Sequence, residues 1–284
     1  MRRKIPAQHQ FWRQMVGLHN QRPTINWATV GGIALILTVA AIVLVGFVAM
    51  QGRKAAIGQL DPITFCPKSG PVAVHAILID RTDPLSQIQL EALRREIFHR
   101  AQLVSKHEAF RVYEVGHGGV LLNPVVDVCN PGDGSDASSI DANPANLRRR
   151  YLKLFSAPIE KMLAGMSADE KMGQSPIMEA IQAIAVRDFG ISGPAGANSL
   201  TIASDLLQYS AKFSLYREIP DSDDFARSPA GRSLKSDLNG VDISLLILFR
   251  EKDARFQPDA LGSFWVRWLT RQSATVSSVK QLPG

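Results

Sequence analysis

Residues 27–50 read WATVGGIALILTVAAIVLVGFVAM, and no charged residue lies between Arg22 and Arg53. As a helix this run extends about 36 Å, enough to cross a hydrocarbon layer of about 30 Å. Whatever else the chain builds must therefore come from the residues on either side. A cleaved signal peptide is the simpler alternative, but its apolar core is only about 7 to 15 residues long and lies nearer the N-terminus. Five basic residues precede the run (Arg2, Arg3, Lys4, Arg13, Arg22) and two come after it (Arg53, Lys54). The bias of basic residues towards the cytoplasm puts the N-terminus inside and the rest of the chain outside. Trp27 falls where indole rings favour the membrane surface. Ala28 and Gly32 form a small-residue pair of the kind that lets helices pack, although simple anchoring is its ordinary meaning.

The expected organisation is a basic cytoplasmic tail at 1–26 and a transmembrane helix at 27–50. A linker at 51–69, a periplasmic domain at 70–275 and a flexible tail at 276–284 complete it. The formal net charge of +6 conceals an asymmetry. Residues 1–54 hold seven bases and no acid, whereas the remainder holds 25 bases and 26 acids. A near-neutral exported domain gives no electrostatic reason for a nucleic-acid partner. The two cysteines, Cys66 and Cys129, both fall in the exported part. An oxidising compartment favours a Cys66–Cys129 disulfide, the other arrangement being two buried free thiols.

Past the linker, strand-like and helix-like stretches alternate. VAVHAILI (72–79) is short, β-branched and almost continuously apolar, as in a strand covered on both faces. Leu90, Leu93, Ile97, Ala101 and Val104 then recur at helical spacing, and Ser86 with Gln89 makes the capping box that starts such a helix. FRVYEV (110–115) and VLLNPVVDV (120–128), joined by a Gly-rich turn, predict a hairpin whose second strand is pushed to a sheet edge by Pro124. The polar stretch 130–146 reads as a loop, its aspartates lacking calcium-loop spacing. Leu147, Tyr151, Leu154, Ile159 and Met162 mark a helix. SPIMEAIQAIAV predicts another, with Ser175 as N-cap and Pro176 at the first helical position. NSLTIASD (198–205) is a strand running into Asp205, and the polar, Pro/Gly-punctuated residues 216–240 read as a surface excursion. VDISLLILF (241–249) is the clearest buried strand. The closing helix, from about Asp259, carries Leu261, Phe264, Trp265, Trp268 and Leu269 on one side. The pattern predicts a three-layer α/β domain, its sheet mostly parallel with one antiparallel edge hairpin strand, preceded by one transmembrane helix.

In such sheets ligands gather at the carboxyl ends of strands, which puts Asp80 and Asp205 on one rim. Phosphate-cradling loops, nucleophile elbows and H-E-x-x-H are absent from the sequence. The exported histidines have no metal-like spacing, and His75 is expected in the core. What remains is Asp80, Thr82, Ser86, Ser175 and Asp205. Hard divalent cations take such oxygens, and Mg²⁺ needs few protein groups. Each residue also has a local structural use. Thr82 can close a turn, Asp205 can cap the segment after its strand, and both serines can cap helices.

At this point the residues and the element order resemble a von Willebrand factor A domain. In ILIDRTDP, Asp80 and Thr82 match the first two ligands of that family's D-x-S-x-S metal motif, while Pro84 stands where the second Ser belongs. In GQSPIMEAI, Ser175 takes the place of the family's Thr, and in IASDL, Asp205 that of the last Asp. The ending FWVRWLTRQSA is similar to the final helix of bacterial members. The resemblance covers roughly residues 70–275 and implies a doubly wound, Rossmann-like sheet. It also implies a divalent cation such as Mg²⁺ on Asp80, Thr82, Ser175 and Asp205, completed by a partner's carboxylate and weakened here by Pro84. The anchor, the near-neutral α/β domain and the missing catalytic groups point to no enzyme but a single-pass inner-membrane protein presenting this periplasmic domain to a protein partner, within a membrane or secretion assembly. The alternative is a metal-dependent phosphohydrolase with Asp80 as nucleophile. That chemistry needs a general acid two positions on, where Thr82 stands.

Overall fold

The computed structural model describes residues 27–57, 60–115, 123–135, 143–167, 173–190 and 193–282. The chain divides into two units between residues 54 and 55. The first is represented by helix α1 (Trp27–Ile57), 31 residues long, so it continues past the expected end at residue 50. Ile42, Val43, Leu44 and Val45 are consecutive and all more than 60% exposed. At about 100° per residue they cover the whole circumference of the helix. Among the described residues no helix is long and apolar enough to cross a membrane. Within α1 that description covers side chains only at residues 32, 33 and 35–48.

The second unit is a six-stranded sheet in the order β3-β2-β1-β4-β5-β6. Its strands are β1 (Val74–Asp80), β2 (Ala109–Val115), β3 (Val126–Cys129), β4 (Ser199–Ser204), β5 (Asp242–Leu248) and β6 (Thr275–Leu282). All neighbours are parallel except β2 and β3, which pair antiparallel at one edge. The mostly parallel sheet with one antiparallel edge strand is as expected. The strand at that edge is shorter than the sequence run, with Pro124 outside it, and the turn that joins the pair lies outside the described residues.

Alternation along β1 sends Val74, Ala76 and Leu78 to one face and Ile77 and Ile79 to the other. The first face packs on α5 (Ile177–Ile184) and α8 (Asp259–Arg271); the second packs on α2 (Gln87–Gln102) and α4 (Ala157–Gly165). The result is three layers with two cores. Helix α2 starts where expected: Ser86 Oγ accepts from Gln89 N at 3.1 Å and Gln89 Oε1 accepts from Ser86 N at 3.3 Å. Gln89 Nε2 also donates to Phe249 O at 2.6 Å, tying the first turn of α2 to the residue that follows β5.

Several expectations are corrected. Residues 275–282, expected mostly as a flexible tail, form β6, paired along the whole of β5. Only Leu282 of β6 is buried, so this edge strand is held by its backbone ladder and carries no apolar alternation to reveal it. The expected linker joins the domain at its distal end, where Cys66 bonds Cys129 and Thr64 O accepts from Cys129 N at 2.8 Å. The supposed surface excursion contains α6 (Ser222–Arg227) and α7 (Pro229–Ser233) and buries Phe225, Leu234 and Leu238. The helix around Tyr151 is α3 (Pro144–Tyr151) continued through a π segment (Leu152–Ser156) into α4. His75 is not a core residue: its side chain keeps 25% exposure between Ser199 Oγ at 2.8 Å and Glu108 Oε2 at 2.9 Å.

Candidate functional site

Chain direction places the site. From β1 the order runs to β2 on one side and to β4 on the other, so the loops leaving β1 and β4 part at the carboxyl ends of the two strands, the place where sheets of this kind bind ligands. Asp80 is the last residue of β1, and Ser204 and Asp205 stand at the end of β4.

Asp80 is fully buried. Its Oδ1 accepts from Thr82 N at 3.0 Å and from Thr82 Oγ1 at 2.6 Å. Its Oδ2 accepts from Ser175 Oγ at 2.9 Å and Ser204 Oγ at 2.8 Å. An ionised carboxylate offers about four lone-pair sites, and all are taken by these donors. Thr82 and Ser175, singled out in the sequence, are thus brought onto Asp80. Ser175 is not the helix cap it was expected to be. Helix α5 begins at Ile177, with Pro176 at its N-cap and no side-chain cap bond. Ser175 is held instead by reciprocal backbone bonds to Tyr209, both 2.8 Å, which aim its hydroxyl at Asp80. Ser204 was missed. The only hint of it was its place beside Asp205 at a strand end, and it serves twice, since its Oγ also accepts from Leu206 N at 2.8 Å.

Asp205 makes no direct bond to this cluster. Its Oδ1 accepts from Leu207 N at 2.9 Å. Its Oδ2 lies 3.0 Å from Nε of Arg250, a residue that carries no motif in the sequence. The side chain of Arg250 is 4% exposed. Its Nη1 donates to Pro84 O at 2.9 Å and lies 3.9 Å from Asp83 Oδ2. Nε and Nη2 lack an aligned hydrogen-bond acceptor among the described residues. The Asp205 pair is therefore close in distance but poor in angle, an attraction of charges more than a directed bond. Gln257 locks the arginine's backbone in place, accepting from Arg250 N at 2.9 Å and donating to Asp205 O at 3.1 Å.

Burial pushes the Asp205 carboxyl up to about 7; the nearby Asp80 charge adds to the rise, and Arg250 and the Leu207 amide oppose it. The close arginine argues the other way, but an almost inaccessible carboxyl beside a second carboxyl is dominated by desolvation and like charge. Because the folded value lies above the ordinary 3.8, the folded state holds the extra proton between those two values. The group's stabilising contribution is complete below about pH 4 and declines as pH rises through about 7. Melting the wild type and Asp205→Asn across pH 4 to 8 is expected to show a steeper decline for the wild type. Linkage gives a difference on the order of 4 kcal/mol. Parallel curves would refute the shift.

These residues do not fit a divalent cation. Such an ion needs roughly six oxygen ligands, with carboxylates turned towards it. Here the Asp80 oxygens are occupied by four internal donors, and Asp205 faces a guanidinium. Pro84 has no side-chain oxygen, and its carbonyl is engaged by Arg250. Among the described residues no group of three or more His, Cys, Asp or Glu side chains is placed to hold a metal. Nor does the geometry suit nucleophilic attack. Asp80 is sealed from solvent, and its four donors are hydroxyls and an amide, none of them a carboxyl that could act as general acid.

No family model matches the sequence, and no curated protein does. Among solved structures the chain is similar to an aerotolerance-related membrane protein from Bacteroides fragilis, at 10% identity over 75% of this chain and 92% of that one, with a TM-score of 0.39. It is similar to the SpRpn10 VWA domain at 10% identity, over 75% of this chain and 88% of that one, with a TM-score of 0.40. A third similar structure is a von Willebrand factor type A protein from Catenulispora acidiphila, at 13% identity over 72% and 42% of the two chains, with a TM-score of 0.35.

Proposed function

We propose that this chain is a membrane-anchored binding protein. In this reading α1 is a single span of the inner membrane, the basic N-terminus is cytoplasmic, and a von Willebrand factor A-like domain stands in the periplasm to engage a protein partner. The observation that carries the reading is the order β3-β2-β1-β4-β5-β6 with an antiparallel β3. It gathers Asp80, Thr82, Ser175, Ser204 and Asp205 at one end of the sheet while burying the carboxylates that hydrolysis would need. The apolar circumference of α1 supports the anchor, because a helix that is hydrophobic all round is either enclosed by protein or spans a membrane. The Cys66–Cys129 disulfide supports an oxidising compartment.

A photo-crosslinking amino acid at Tyr209, which is 43% exposed, tests the reading in the full chain in intact cells. The expected result is one stoichiometric protein adduct, formed in the membrane fraction and lost when protease reaches the periplasm. A chain that washes off membranes at alkaline pH would remove the anchor. An adduct-free chain at Tyr209 and at neighbouring exposed positions would remove the binding role.

A further inference from the structure

We infer that Arg250 is the built-in cation of this rim, supplying from within the chain the positive charge that a divalent ion would otherwise bring, so that the rim works without metal. The inference rests on the proposed binding role, with this end of the sheet as the face that serves it. Three carboxylates, Asp80, Asp83 and Asp205, meet at the ends of β1 and β4, and two of them are at most 2% exposed. Uncompensated negative charge at that depth is costly. The four donors on Asp80 are neutral hydroxyls and an amide. The compensating charge comes from Arg250, between Asp205 at 3.0 Å, Asp83 at 3.9 Å and the Pro84 carbonyl at 2.9 Å.

Pro84 fits this arrangement. A residue with no side-chain oxygen offers a cation nothing, but its carbonyl remains free to accept from Nη1, and its fixed φ holds the loop so that it does. A guanidinium suits the task better than an ammonium, because it stays charged when buried and presents several donors in one plane. Gln257 fixes the backbone from which it reaches, so the cation is part of the fold.

Thermal unfolding of the full chain in detergent at about pH 8, where the Asp205 carboxyl is ionised, in EDTA and in millimolar Mg²⁺ or Mn²⁺, tests this on the protein alone. The wild type is expected to melt at the same temperature in all three. Arg250→Gln is expected to melt roughly 10 °C lower in EDTA, the loss typical of breaking a buried ion pair in a domain of this size. Mn²⁺ or Mg²⁺ should then raise that variant saturably as the ion enters the vacated place. Removing the facing charge as well, in Arg250→Gln with Asp205→Asn, should recover most of the lost temperature and abolish the metal response. It also provides the readout if the single variant fails to fold.

Three results would overturn the inference. One is saturable stabilisation of the wild type by metal that Asp80→Asn abolishes. Another is Arg250→Gln melting with the wild type. The third is Arg250→Gln gaining nothing from metal, which would leave only an ordinary ion pair. None of these depends on a partner, so failure here is separable from failure of the crosslinking experiment.

Discussion

Truncating Trp265 to alanine is expected to lower the unfolding free energy by about 4 to 5 kcal/mol, the upper part of the range for a buried large aromatic. Trp265 is 0% exposed and lies at the centre of the α8 side of the sheet. Its ring meets Trp268 edge to face at 5.4 Å between centroids and Phe264 at 6.4 Å. The cost has a second part, because Nε1 donates to Leu206 O at 2.8 Å. Leu206 has φ 63°, in the left-handed region that costs a side chain of this kind on the order of 1 kcal/mol or more. The indole bond is one of the contacts that hold it there. Truncation therefore opens a cavity, leaves the Leu206 carbonyl with Gln208 N at 3.0 Å as its remaining donor, and loosens the turn carrying Asp205.

Trp265→Phe separates the two parts. It keeps most of the volume and loses the donor, so a cost of about 1 to 2 kcal/mol is expected. Urea unfolding monitored by circular dichroism measures both variants. A loss below about 1 kcal/mol for the alanine variant would show that neither the packing nor the bond matters as argued. The adjacent aromatics of the last helix are thus accounted for as core, as their helical spacing suggested, with the indole N–H assigned to the rim.

Replacing both Cys66 and Cys129 by serine is expected to cost about 4 kcal/mol. The bond closes a sequence separation of 63 residues, and the loop-entropy relation for a closed segment of that length gives this figure. The bond also holds a short segment that has little else to keep it on the sheet. Residues 60–67 close on themselves through a bridge between Leu60 and Pro67, and are attached to the sheet through the Thr64 carbonyl on Cys129 and the disulfide. In the serine variant, limited proteolysis is expected to cut first within this segment, before the sheet unfolds. Equilibrium unfolding with and without reductant provides the free energy. Identical midpoints for oxidised and reduced wild type would contradict the prediction.

Much of the architecture was readable because it rests on periodicity and local chemistry. β1 and β5 are continuous apolar runs, α2 announces itself with Ser86 and Gln89, and α8 shows its buried stripe. The misreadings share a cause. β6 has one buried residue and is held by main-chain bonds to β5, so its side chains carry no alternation. Residues 216–240 are mostly polar, and the buried Phe225, Leu234 and Leu238 are too widely spaced to form a period. Ser175 and Pro176 match a helix start, but a backbone bridge to Tyr209 turns the serine to a carboxylate 95 positions earlier in the chain.

The rim divides the same way. Read along the chain alone, Asp80 and Asp205 end buried strands, Thr82 lies two residues beyond the first, and Pro84 removes an oxygen from the motif. These are properties of neighbours in sequence. The balance of the carboxylates was settled by folding. Ser175 and Ser204 reach Asp80 across 95 and 124 positions, and Arg250 reaches the Pro84 carbonyl across 166. Electrostatic compensation depends on distance in space and on the exclusion of water. Neither leaves a periodic mark, so an arginine after a strand looks like any surface charge until the sheet closes over it.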